Sequence, residues 1–454
     1  MAGDKQGGGQ PIGWPGQVWL EGRTLVHLLG EQTRPTHMPR GPAKRTGPGF
    51  LNPAMAPART RSILLLNDAL EHNWLVRPDQ SIRVLDALCA TGVRIRRWRN
   101  EIPAQAQHRL RITANDLDKF ALDWAKASHS THPPAQSVEH EPEDDRYGSV
   151  SEQVFDNGLN FRNIDARIAM METGYQWIDL DPFGSPVQFL DAALQGLSRT
   201  GVLEITATDT AALTGSSASS QARRYGAKGI VDVYAHDDAV RLLLATVATS
   251  AARLDKSITP LMALFDGHHV RISCLIKTSR EKASKISDML GWRVREEDIP
   301  YRFVQHPSAE QVKRASGPMW IGPLWDKDIA ARMTEEKALE LCQATSEEIE
   351  KMKMEGLEWS DADVEYSGRE LRRSVRYISD AADLMSREHL LLNLDSLPRW
   401  AGVGGAPKLE KLIASLIGAG YCAARLPDLE PLLITDAPFD TVLEQVRNKA
   451  PSTK

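Results

Sequence analysis

The chain has 454 residues, enough for two to four domains at roughly 100–200 residues each. A hydrophobic share of 42% and a charged share of 25% exclude a wholly disordered chain, and 32 Gly with 26 Pro are too scattered for a collagen-like or linker protein. The net charge of −5 gives no whole-chain attraction to nucleic acid, and no apolar run approaches the ~20 residues that span a bilayer, so no membrane association is expected. The N-terminus lacks the compact apolar stretch of a secretory signal. Cys89, Cys274, Cys342 and Cys422 lie far apart with no C-x-x-C pair, which points to a reducing, cytoplasmic setting. Charge is uneven: residues 1–61 carry 8 basic and 3 acidic side chains, residues 335–365 carry 11 acidic and 3 basic. Arg369, Arg372, Arg373 and Arg376 follow closely. A polyanion would seek the basic surfaces, while the acidic stretch reads as solvated helix faces.

In chain order, residues 1–16 are Gly/Pro-rich and read as a flexible tail. Residues 17–30 suggest a short hairpin, and 31–50 an extended basic segment. A helix is expected over 62–73 from the spacing of Ile63, Leu66, Ala69 and Leu70. Strands and helices then alternate: strand 82–88, a helix from 93, strand 110–114, helix 119–127, strand 175–180, helix 189–197, strand 201–206, and a long amphipathic helix over 237–254. This order predicts an α/β, Rossmann-like domain with a mostly parallel sheet. The breaker-rich, acidic stretch at 129–149 reads as a surface loop facing away from any RNA. Two consecutive strands over 259–265 and 269–277 look antiparallel, and later segments look mostly helical. The expected organisation is therefore a tail at 1–16, a first domain at 17–257 and a smaller α+β domain at 258–454.

Four features fall at the C-terminal ends of expected strands, where open parallel sheets bind ligands. Val84 to Gly92 runs a strand into a small-residue turn that a ligand could approach closely. It lacks the G-x-G-x-x-G pattern, so a dinucleotide pyrophosphate fits poorly. Asp116 follows the next strand and suits the two hydroxyls of a ribose, or a helix N-cap. Asp165 and Ala166 follow an apolar position where an adenine could lie. In Ile178-Asp179-Leu180-Asp181-Pro182-Phe183-Gly184 two carboxylates at i and i+2 point to one side of a strand, Pro182 stiffens the loop and Phe183 offers an aromatic face. An acidic residue, a Pro and an aromatic in this order resemble the D/N-P-P-Y/F loop of amino-methyltransferases. A carboxylate and a carbonyl can accept the hydrogens of an exocyclic amine and localise its lone pair, while an aromatic holds the base plane. The alternative is a buried Asp capping the next helix.

These motifs, with Phe50-Leu51-Asn52-Pro53-Ala54-Met55, VLDALCATGVRIRRWRNE, ANDLD, GVLEITATDTAALTG, RRYGAK, GPMWIGPLWD and LITDAPFD, resemble the tRNA (guanine-26-N2)-dimethyltransferase family from residue 21 to about 446. The resemblance implies a class I, S-adenosylmethionine-dependent enzyme that acts on tRNA and forms mono- and dimethylguanosine. It implies that Arg59 and Arg94 contact the cofactor near its carboxylate, with Arg61 as the alternative to Arg59. Asp116 would hold the ribose, and Asp165 and Ala166 would flank the adenine. Asp181 would be the catalytic carboxylate, with Pro182 and Phe183 lining the base pocket. Thr208, Asp209 and Thr210 would face the same cleft, and Arg223, Arg224 and Lys228 around Tyr225 would meet the RNA backbone. Many relatives carry paired C-x-x-C motifs after the Cys274 region; this chain has none, so no zinc is expected. No protein partner is evident. Competing readings are an amino-methyltransferase for another RNA site, a catalytically silent RNA-binding protein, and a nicotinamide-dependent oxidoreductase.

Overall fold

The computed structural model describes residues 10–28, 51–133, 159–426 and 431–449. The expected basic segment at 31–50, most of the 129–149 loop and the first nine residues of the tail lie outside the described residues. The chain forms two compact units, Met1–Tyr175 with Ala338–Ser374, and Gln176–Lys337 with Val375–Lys454.

In the first unit, β1 (Gln17–Glu21) and β2 (Thr24–Leu28) form the expected antiparallel hairpin. Its turn needs Gly22: φ is +61°, and a Cβ there would lie 2.2 Å from Glu101 Oε1. Helix α1 (Ala56–His72) begins six residues before its expected start. Asn52 caps the preceding turn by accepting the Ala54 N–H, and Pro57 sits in the first turn, where its missing N–H costs nothing. Next come β3 (Ile82–Asp86), α2 (Val93–Glu101), the short α3 (Ala104–Gln107) and β4 (Leu110–Asn115). Then follow α4 (Lys119–Thr131), β5 (Leu159–Arg162) and α5 (Ala166–Met171). β3, β4 and β5 pair in parallel. The acidic stretch folds as helices here, and its apolar side packs Ile349, Leu357 and Trp359 against Leu20 and Leu25 of the hairpin. Arg23 reinforces that contact through Glu348, with Nη2 to Oε1 at 2.5 Å.

The second unit contains β6 (Tyr175–Leu180), α6 (Leu190–Gly196), β7 (Leu197–Ala207), α7 (Thr210–Leu213) and α8 (Ala218–Tyr225). It continues with α9 (Ala235–Arg253), β8 (Lys256–Asp266) and β9 (His269–Thr278). The seven strands from β3 onward follow the order β5-β4-β3-β6-β7-β9-β8, and β9 pairs antiparallel with both β7 and β8. The rest of this unit holds two three-stranded sheets and helices. One of them packs Leu397, Leu412, Leu433 and Val442 into its own core.

The expected boundary at 257/258 falls inside β8. The strand pair read as the start of a second domain instead completes the large sheet. Both strands are buried on both faces over most of their length, which is the pattern of a covered sheet. The change from parallel to antiparallel order marks an edge hairpin, not a new domain.

Candidate active site

In the first unit, three loops at the C-terminal ends of β3, β4 and β5 are stitched together. The turn after β3 places Ala90 and Gly92 at positive φ, +46° and +76°. A Cβ at Gly92 would meet the Ala125 Cβ at 2.9 Å, so a glycine is needed for space as well as conformation. Asn115 accepts the Ile164 N–H and donates to the carbonyls of Ala87 and Ile164, while the Cys89 N–H donates to the Asn115 carbonyl at 2.8 Å. Asp116 braces the same turn: Oδ2 accepts the Ala90 N–H at 2.8 Å and Oδ1 the Asp118 N–H at 2.8 Å. The cap of α4 is Asp118, which accepts the Phe120 and Ala121 N–H groups, so capping is not the role of Asp116. Asp165 caps α5, accepting the Arg167 N–H at 2.8 Å, and the Arg167 guanidinium grips it at 2.9 and 2.6 Å. Those hydrogen bonds hold its carboxyl down at about 2. Ala166 is buried in the first turn of α5.

Arg59 is buried in a cluster that sequence reasoning missed. Its Nε and Nη2 donate to the two Glu21 oxygens at 2.6 and 2.5 Å, and Nη2 also reaches the Asn52 carbonyl at 3.0 Å. Arg97 donates to Glu21 at 3.1 Å, to Glu101 at 2.8 and 2.7 Å, and to Thr60 at 3.1 Å. Arg61 turns away and donates to the Ser374 carbonyl at 2.8 Å. Arg94, the second residue of α2, is buried. Four arginines within seven positions of a helix (Arg94, Arg96, Arg97, Arg99) were the available signal for such a cluster.

In the second unit, β6 ends at Leu180, and Pro182 turns the chain out of the sheet. Asp181 therefore lies past the strand and is half-buried, while Asp179 is fully buried inside it. The two carboxylates differ in burial. Asp179 is held by Arg271 of β9, which also donates to Thr206 at 2.9 Å and reaches Glu204 at 3.2 Å. Burial alone would lower the Arg271 guanidinium, but the charges of Asp179, Glu204 and Asp181 outweigh it and raise it. A lone Arg inside the apolar run of β9 was the signal for this pairing.

Phe183 is 67% exposed. Gly184 donates its N–H to Thr208 Oγ1 at 2.7 Å and accepts the Thr208 N–H at 3.0 Å. Around Tyr225 the three basic groups separate. Arg224 donates to Asp209 at 2.9 Å, Lys228 donates to the carbonyls of Val312 and Lys313, and Arg223 makes a long contact to Ser220 at 3.4 Å. Among the described residues, no three His, Cys, Asp or Glu side chains form a cluster that could hold a metal ion, and no helix is long and apolar enough to cross a membrane.

The pattern of the N2,N2-dimethylguanosine tRNA methyltransferase family matches residues 32–390. A tRNA (guanine(26)-N(2))-dimethyltransferase of Thermococcus kodakarensis is 30% identical over 414 residues, which cover 88% of this chain and 93% of that protein. A tRNA (guanine(26)-N(2)/guanine(27)-N(2))-dimethyltransferase of Aquifex aeolicus is 28% identical over 302 residues, 64% of this chain and 69% of its own. The structure of Trm1 from Pyrococcus horikoshii with S-adenosyl-L-methionine superposes with a TM-score of 0.69 at 23% identity, covering 95% of this chain and 99% of that one. That likeness identifies the fold as the class I methyltransferase fold. The chain belongs to the N2,N2-dimethylguanosine tRNA methyltransferase family.

Proposed function

We propose that this chain, acting in the cytoplasm, transfers methyl groups from S-adenosylmethionine to the exocyclic N2 amine of guanine-26 in tRNA, giving mono- and dimethylguanosine. The observation that carries this reading is the Asp181–Gly184 loop: a half-buried carboxylate, a rigid proline and an exposed aromatic face directly after a central strand. The N2 lone pair of guanine is delocalised into the ring. Asp181 accepts an N2 hydrogen and localises that lone pair, Phe183 stacks on the base, and Pro182 keeps the loop from yielding. As the amine gains a methyl it becomes cationic, and Asp181 stabilises that charge and takes the proton. The cofactor, when bound, supplies an electrophilic methyl on a sulfonium.

The stitched loops of the first unit suit an adenosine ligand. The left-handed backbone at Ala90 and Gly92 admits close approach, and the carboxylate of Asp116 at the end of β4 would hold the ribose. Asp165 and Ala166 would border the adenine. Of the two arginines implied near the cofactor's carboxylate, Arg59 is gripped by Glu21, so the direct contact falls to Arg94 and Arg59 secures the Asn52 corner.

The test is mass spectrometry of nucleosides from tRNA incubated with enzyme and labelled cofactor, with fragments resolving positions 26 and 27. N2-methylated guanosine at 26 is expected. Asp181→Asn should reduce turnover about 10²–10⁴-fold while cofactor affinity holds, because its interaction strengthens in the transition state. Label on another base, or full activity of Asp181→Asn, would overturn the reading.

A further inference from the structure

In the loop that carries Asp181, Pro182 is buried and the two residues after it project outward. Gly184 sits at φ +80°, a Cβ there would find nothing within 4 Å, and Phe183 is largely exposed. Hydrogen bonds anchor its far end. Beyond the two Gly184–Thr208 bonds, a chain of side chains begins at the next residue. Ser185 Oγ lies 3.0 Å from the Tyr225 hydroxyl, that hydroxyl donates to Asp209 Oδ1 at 2.7 Å, and Asp209 Oδ2 accepts from Arg224 Nη1 at 2.9 Å.

Counting protons fixes the directions. Tyr225 has one proton and gives it to Asp209, so Ser185 donates to Tyr225. Burial pushes the Tyr225 phenol well above its usual range, so it keeps that proton throughout the working range of pH. The chain thus runs Ser185 to Tyr225 to Asp209, and Arg224 closes it from the exposed side of α8. A buried phenol between a loop hydroxyl and a charged carboxylate is a stiff link, because hydrogen bonds to ionised groups are the stronger ones.

We propose that Tyr225 and Asp209 are positioning residues for the Asp181–Gly184 loop, setting through Ser185 where Asp181 and Phe183 meet the target guanine. This rests on the reading of that loop as the base-handling element. It assigns to the RRYGAK segment a role in turnover as well as any contact with RNA. Small displacements of reacting groups are costly: a shift of about 1 Å can lose on the order of 100-fold in rate.

The experiment is single-turnover methyl transfer to a tRNA transcript, with calorimetry for cofactor and KM for tRNA. Tyr225→Phe keeps the buried ring and removes only the bridging hydroxyl. Its rate should fall about 10–100-fold, with cofactor Kd and tRNA KM within about twofold of wild type. Ser185→Ala should fall similarly, and Ser185→Thr, which keeps the hydroxyl, should recover most of the rate. The double variant Tyr225→Phe with Ser185→Ala should be no slower than the slower single, because both break one chain. A wild-type rate for Tyr225→Phe, additive losses, or a loss matched by weakened cofactor binding and a lowered Tm would overturn the proposal. A wild-type enzyme that leaves tRNA unmethylated would instead remove the reading beneath it.

Discussion

Two buried ion clusters, one in each unit, are both built from arginines and carboxylates and differ in how many described guanidinium groups they hold. In the first unit, Arg59 and Arg97 face Glu21 and Glu101, two cations against two anions. In the second, Arg271 faces Asp179 and Glu204, and Asp181 adds its charge within electrostatic reach. Glu204 is helped by neutral donors, Ser273 at 2.9 Å and Trp177 at 3.2 Å. The first cluster fastens the N-terminal hairpin to α1 and α2. The second cluster gathers Asp179, Glu204 and Arg271 at the root of the loop where, on the proposed chemistry, an amine turns cationic. Buried charges seldom repay their desolvation in stability.

Removing Arg271 should cost most. Arg271→Met takes the guanidinium from two buried carboxylates, and chemical denaturation should show a loss of about 3–5 kcal/mol. A loss under about 1 kcal/mol would mean that the neutral donors suffice. Glu21→Gln is the matched change in the first cluster. It keeps one acceptor for Arg59, and Glu101 still serves Arg97, so the same measurement should give about 1–3 kcal/mol.

The smallest effect is the pH dependence that Glu21 contributes. Burial alone would raise the Glu21 carboxyl, but Arg59 and Arg97 outweigh it and hold it below its ordinary value. A depressed carboxyl stabilises the fold above its unfolded pKa, about 4.3, and that contribution fades as pH falls through the lower folded value. Glu21→Gln should therefore flatten the acid side of the stability profile below about pH 4.3 and leave its shape near neutrality unchanged. An unchanged acid limb would break the link between this cluster and acid lability.

Much of this was legible in sequence where the signal was local. β6 spans 175–180 as expected because Gly174 and Pro182 bound its apolar run. The turn at 89–92 announced itself through small residues, and α4 starts at Lys119 because Asp118 caps it. Partners distant in sequence were not legible. The partner of Asp179 was hidden: β9 brings Arg271 to it from 92 residues on. The grip of Glu21 on Arg59 was hidden as well, because nothing nearby in sequence shows it. The hairpin at 256–278 looked like a new domain because pairing direction is visible in a sequence and sheet membership is not.

The first unit is assembled from two stretches of chain separated by the greater part of the second. Arg23 finds Glu348 across 325 residues, and the hairpin core waits for Ile349, Leu357 and Trp359. At about 5–20 residues per second on the ribosome, roughly ten to thirty seconds pass between the emergence of the first stretch and the start of the second. Through that interval the apolar face of the hairpin lacks its cover. The N-terminal unit, first to be made, is thus among the last to be finished, and a chaperone that shields it would act during synthesis rather than after release.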